Sequence, residues 1–254
     1  LDLHHTEVFG EYLRESGLLR MMAEFHFKQD HYEQAASMFC EIADSGEPRY
    51  EIFEKAAYSY QKLGHYEKAL SYYTKAELFD TNILWLSKKM AYCLRQLGRP
   101  VEAIRHYQEA LKRSEDKQWL SLQLANTYLE ARQFSEALNQ YYGIELQYGL
   151  ENRVIRPAAW CLLNLGQAAK AMNYLMQIPS EERGVNDLLN LGHASWLTGS
   201  PGKAYESYSL AIKQAGNSLE GFTRSFWEDI PLLTDHGINV EETAMMLDIL
   251  TIPA

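Results

Sequence analysis

The chain has 254 residues, 46% of them hydrophobic and 23% charged, proportions that exclude wholesale disorder. Its formal net charge of −10 argues against nucleic acid or an anionic membrane as the main partner, because such binders carry a basic excess that neutralises phosphates. No window of about 18 uninterrupted apolar residues occurs, so no transmembrane helix is expected.

Seventeen tyrosines against nine phenylalanines suit many half-buried sites, where the ring packs and the hydroxyl stays wet. Cys40, Cys93 and Cys161 lie far apart, with no CxxC pair and no zinc-ligand cluster, and read as small buried hydrophobes in reduced form. Residue 1 is Leu, which suggests a piece of a longer chain; a soluble, cytoplasmic segment is the favoured expectation.

In chain order, residues 5–15 read as one helix that turns at Ser16 and Gly17. From there a 34-residue period takes over. Ala35, Ala69, Ala103, Ala137 and Ala171 recur at that spacing, and Ala204 follows 33 residues later. Within residues 50–83, Phe53, Ala56, Ala57 and Tyr60 fall at i, i+3, i+4 and i+7, one apolar stripe of a helix. Gly64 interrupts the stripe, and Ala69, Tyr73 and Ala76 begin a second one. Two helices of about 14 residues joined by a short turn make an antiparallel hairpin.

Small residues mark the sites where two helices approach closely. In the first helices these are Ala23, Ala57, Ala91, Ala125, Ala159 and Gly192. In the second helices they are the six alanines above. Bulky Phe39, Tyr73, Tyr107, Tyr141, Leu175 and Tyr208 follow, placed to reach the next hairpin. One hairpin cannot bury both faces, but a row of them can.

This pattern resembles the tetratricopeptide repeat family over about residues 16–217. The expected fold is therefore all-α, a right-handed α-solenoid of stacked antiparallel hairpins with repeats at about 16–49, 50–83, 84–117, 118–151, 152–184 and 185–217. Some departures are visible. Thr81 and Glu115 replace the usual repeat-ending proline, and Ala168 stands where Tyr66 does. Pro157 falls where helix is expected; the predicted helix therefore starts late, near Ile155 or Arg156, after a long connector through 148–154. Residues 218–254 read as a degenerate helix pair that caps the array, with Asn239 and Glu242 as a capping pair and Pro253 as a stop.

No catalytic signature is found, and an enzyme is not expected. The stretch GSPGKAY at 199–205 has the wrong spacing for a phosphate loop and sets Ala204 where a hydroxyl is needed. His4, His5 and Glu7 lack a supporting cluster, and His193 with Ser195 lacks a nucleophile-elbow frame. No metal or cofactor is expected.

The resemblance implies a concave groove lined by positions 2, 5, 9, 12 and 13 of each repeat. That set contains Glu51, Glu54, Tyr58, Gln61, Lys62, Trp85, Lys88, Tyr92, Arg95 and Gln96. It continues with Trp119, Leu122, Asn126, Leu129, Glu130, Arg153, Arg156, Trp160, Leu163 and Asn164. Three of five tryptophans fall in it, with five basic residues against three acidic ones. The candidate ligand residues are Tyr58, Trp85, Lys88, Tyr92, Arg95, Trp119, Asn126, Arg153, Arg156 and Trp160. A carboxylate clamp for chaperone tails is not supported, since Glu24, Tyr92, Leu122 and Pro157 break its pattern. The implied role is a non-catalytic scaffold that binds a protein or peptide segment with acidic and apolar residues. The alternatives are an assembly module docking through its convex face, or the sensor or adaptor part of a longer chain.

Overall fold

A computed structural model describes residues 17–45, 49–79, 83–216 and 218–251. The predicted helix at 5–15, the His4, His5 and Glu7 group, and Pro253 lie outside the described residues. The described chain is helical throughout, without strands. In order the helices are α1 (Leu18–Lys28), α2 (Tyr32–Asp44), α3 (Tyr50–Lys62), α4 (Tyr66–Glu77) and α5 (Ile83–Gln96). Next come α6 (Pro100–Arg113), α7 (Lys117–Glu130), α8 (Phe134–Tyr148), α9 (Asn152–Asn164) and α10 (Ala168–Met176). The last are α11 (Val185–Leu197), α12 (Pro201–Gln214), α13 (Leu219–Asp235) and α14 (Val240–Thr251).

The hairpin turns share one backbone solution. Asp30, Gly64, Gly98, Arg132, Gly166 and Gly199 all take positive φ, between 56° and 80°. The amide of the following residue then donates to the carbonyl five back, as in His65 N to Tyr60 O at 2.9 Å and Ser200 N to Ser195 O at 2.9 Å. This Schellman closure satisfies helix-end carbonyls and needs a left-handed residue, which glycine supplies without strain. Gly237 makes the same turn, with Ile238 N bonding to Leu233 O at 3.0 Å, so the C-terminal pair inherits the repeat's turn. The GSPGKAY stretch is another of these turns, Gly199 leading through Ser200 into α12.

The chain divides into two compact units, residues 1–120 and 121–254, the boundary falling within α7. In the first unit α1 packs on α2, α2 on α3, α3 on α4, α4 on α5 and α5 on α6. Its cores centre on Ala23, Ala35 and Phe39, and on Ala57, Ala69 and Tyr73. In the second unit one core runs from Ala125 and Ala137 to Met246 and Leu247. Each hairpin thus packs on the next within its unit, the arrangement of an all-α solenoid.

All twelve small residues of the register are buried, and so are the six bulky ones. Gly192 is the tightest case. A Cβ there would meet Cε1 of Tyr208 at 2.1 Å.

Pro157 requires a correction. Helix α9 starts at Asn152, not near Ile155, and only Gly149–Glu151 separate it from α8. Proline removes one amide that would bond to the Arg153 carbonyl, at a cost of about 3 kcal/mol. Starting late would strip Val154 and Ile155 from the core, where they are 1% and 4% exposed. Burying two such side chains contributes about 3–6 kcal/mol, so the helix runs through the proline. The predicted capping pair closes α14: Glu241 N donates to Asn239 Oδ1 at 2.9 Å and Asn239 N to Glu242 Oε2 at 3.0 Å.

Candidate functional site

In the first unit, the aromatic and basic residues of the first helices come together. A cavity of about 400 Å³ is lined by Phe27, Lys28, Asp30, Tyr32, Glu54, Lys55, Tyr58 and Trp85. Phe27 and Tyr32 each stand within 5.7–6.1 Å of the Tyr58 ring, and Trp85 sits edge-on to buried Tyr73 at 5.7 Å. Helical spacing does this: Glu54 and Tyr58 are one turn apart on α3, and Trp85 and Lys89 one turn apart on α5.

Lysines cover these rings. Lys89 Nζ is 4.8 Å from the Tyr58 centroid and 5.3 Å from that of Trp85. Lys62 Nζ lies 5.4 Å from the same Tyr58 ring, and Lys88 Nζ 5.5 Å from Trp119. Lys55 is paired with Glu24, but Lys62, Lys88 and Lys89 make no ion pair among the described residues. Burial and the charge of Lys62 depress the Lys89 ammonium below the usual lysine range. Burial likewise raises the Glu54 carboxyl. Glu54 offsets part of the Lys89 charge without forming an ion pair, while Lys62 and Lys88 have no ion pair among the described residues, so the face as a whole gains from an incoming anion.

Tyr92 is 40% exposed and leans on Tyr66 at 6.0 Å. Its phenol is raised, first by the hydrogen bond to Tyr66 and then by burial. Trp119 is 45% exposed at the third residue of α7. Arg95 lies on α5 and is engaged within the chain.

The second unit treats its candidates differently. Arg156 clasps buried Asp187 with three contacts of 2.9–3.0 Å and also donates to the Glu182 carbonyl. Arg153 pairs with neighbouring Glu151 at 2.6 Å. Asn126 Oδ1 accepts from the Tyr141 hydroxyl at 2.7 Å. Leu163, placed in the groove by its register, is fully buried instead, because α9 is wrapped by core on that side. Trp160 lines a separate cavity with α11 and α13.

The sequence reading missed Lys89, which sits one residue after Lys88 and so outside the expected positions. It also missed Phe27, although Phe27 occupies position 12 of the first repeat, as Gln61 does in the second. His193 is fully buried, with Nδ1 2.8 Å from the Tyr208 hydroxyl and Nε2 3.1 Å from Asp229. It fills the inward position that Asn126 fills two repeats earlier, each answering a buried tyrosine. Ser195 is buried on the same helix. Among the described residues no group of three or more His, Cys, Asp or Glu could hold a metal ion, and no helix is long and apolar enough to cross a membrane.

An all-helical chain of hairpins with aromatic and charged first-helix faces is a repeat-type interaction scaffold. Models of the tetratricopeptide repeat match residues 50–82 and 94–148, so those stretches are tetratricopeptide repeats. A comparison with curated proteins found no match. Solved structures of similar fold include YrrB, described as a TPR protein with an unusual peptide-binding site. It shares 18% identity at a TM-score of 0.58, over 73% of this chain and 96% of that one. MamA 41-end from Desulfovibrio magneticus RS-1 shares 16% at 0.59, over 66% of this chain and 96% of that one. At these identities the likeness is one of fold.

Proposed function

We propose that the first unit binds an extended or helical segment of a partner protein across its first-helix face, and that the segment carries acidic and apolar residues. One observation carries this reading: Lys62, Lys88 and Lys89 lie over the rings of Tyr58, Trp85 and Trp119 without an ion pair among the described residues. The rings offer apolar area with a fixed shape, and the ammonium groups supply sign and steering. YrrB offers a precedent in fold for peptide binding. Tyr58, Trp85 and Trp119 act as anchors; Lys62, Lys88 and Lys89 act on the acidic groups. Tyr92 and Arg95 extend the same face along α5.

The test is affinity capture of a partner, mapping of the bound segment, and titration of that segment against variants. Trp119→Ala removes an anchor whose ring is already half exposed, so folding is spared. Binding is expected to weaken by about thirtyfold, the effect of losing an anchor of about 2 kcal/mol. Glu67→Lys on the opposite face is expected to change little. If Glu67→Lys abolishes capture and Trp119→Ala does not, binding runs through the outer face and the proposal fails.

A further inference from the structure

The cavity beside Trp160 in the second unit has the opposite chemistry. It measures about 250 Å³ and is lined by Trp160 of α9, by Asn186, Leu189 and Asn190 of α11, and by Ser225, Glu228 and Asp229 of α13. No lysine or arginine is among these residues. Arg156, on the same helix as Trp160, is spent on Asp187 and the Glu182 carbonyl. Residues 121–254 carry eight Lys and Arg against fifteen Asp and Glu, so the sign of the unit agrees with that of the cavity.

The polar side chains around the cavity, Asp229 apart, are unengaged. The side chains of Asn186, Asn190, Ser225 and Glu228 make no hydrogen bond or ion pair to another described residue. Asp229 is held from behind. The Tyr208 hydroxyl and His193 Nδ1 are hydrogen-bonded at 2.8 Å, and His193 Nε2–H donates to the Asp229 carboxylate at Oδ2, 3.1 Å away, since a carboxylate can only accept. That relay orients the Asp229 carboxylate while leaving Oδ1 without a partner among the described residues. Leu189, 4% exposed, closes the apolar floor.

We propose that this cavity receives a guanidinium group, presented as an arginine side chain of a partner segment. Glu228, Asp229 Oδ1, and the amide and hydroxyl oxygens of Asn186, Asn190 and Ser225 supply acceptors for a donor-rich planar cation, and the Trp160 indole supplies a face for it to stack on. An ammonium group has fewer donors and no plane, so it fits the same lining less well. This site is distinct from the lysine-covered face of the first unit and does not depend on it.

The experiment uses the full chain and two blocked tripeptides, acetyl-Gly-Arg-Gly-amide and acetyl-Gly-Glu-Gly-amide, with methylguanidinium as the free-cation arm. Two-dimensional NMR follows the Trp160 indole N–H and the side-chain amides of Asn186 and Asn190. The arginine peptide is expected to shift all three saturably, and the glutamate peptide to leave them in place. Glu228→Gln, an exposed change that spares the His193 relay, is expected to weaken the arginine peptide about fivefold or more, with a smaller loss at high salt. Tighter binding of the arginine peptide than of methylguanidinium identifies a peptide side chain; equal binding identifies a free guanidinium compound as the source. The proposal is overturned if the arginine peptide leaves the indole unmoved, if the glutamate peptide binds equally, or if Glu228→Gln has no effect.

Discussion

Replacing Gly192 by alanine tests a close helix contact, the tightest among the described glycines. An added Cβ would fall 2.1, 2.4 and 2.7 Å from Cε1, Cδ1 and Cζ of Tyr208, far inside van der Waals contact. The ring has little freedom to retreat. It packs against Phe222 at 5.8 Å and Phe226 at 5.3 Å, and its hydroxyl is tied to His193. Overpacking of this kind costs about 1–3 kcal/mol. Displacing the ring also breaks the buried hydroxyl–imidazole bond, worth about 1–3 kcal/mol when its partners are left unsatisfied. Against this, alanine gains about 1 kcal/mol of helix propensity over glycine. The expected net loss is about 3 kcal/mol, on the order of a hundredfold in the folding equilibrium. Urea unfolding followed by circular dichroism reads it directly. With a slope of about 2–3 kcal/mol/M, the midpoint should fall by about 1 M. Adding Tyr208→Leu should recover part of the loss, because Ala159 and Leu175 coexist at the corresponding sites one repeat earlier, both fully buried. A midpoint that is unchanged, or raised by helix propensity alone, would refute the packing of Tyr208 on Gly192.

Arg132 holds a φ of 56° at a turn where four of the equivalent residues are glycine, a conformation costing an L-residue about 1–2 kcal/mol. Arg132→Gly should therefore stabilise the second unit by about 0.5–1 kcal/mol, the remainder being lost to chain entropy and the contact with Phe134; an earlier thermal midpoint would count against this. Arg156→Ala should destabilise by about 2–3 kcal/mol, since Asp187 is buried and loses its bidentate partner. If instead it unfolds like the parent but loses partner binding, Arg156 reads a ligand and the ion pair is incidental. Burial pushes the Cys93 and Cys161 thiols up to about 12, so at pH 8 both remain protonated in the folded protein. A thiol reagent should label them only as fast as the units open, and rapid labelling under native conditions would show the register to be misplaced.

The period of 34 made the hairpins legible before any coordinates. Packing two helices at close range requires a small residue at a set place in each, and Ala57 with Ala69, or Ala125 with Ala137, announces that place without knowledge of the neighbours. The positive-φ turns were legible for the same local reason wherever glycine occupied them. At Asp30 and Arg132 the sequence is silent, because there the turn is imposed by helices already committed on both sides. Helix α9 likewise begins where Val154 and Ile155 can reach the core, an account that a proline weighed alone cannot supply.

The candidate site was legible as a set of faces but not as a set of partners. Position 9 reads the same way for Tyr58, Asn126, Trp160 and His193, yet the first and third line cavities while the second and fourth answer a buried tyrosine. Whether a side chain faces a ligand or a hydroxyl depends on what the next helix brings to it. Its register puts Arg156 in the ligand groove, but Asp187, 31 residues later, holds it with a carboxylate oxygen 2.9 Å away. Lys89 lies off the expected positions until Tyr58 of the preceding hairpin lies beneath it. Local spacing sets which face of a helix is presented, and the charge and shape of each site arise where faces from separate hairpins meet.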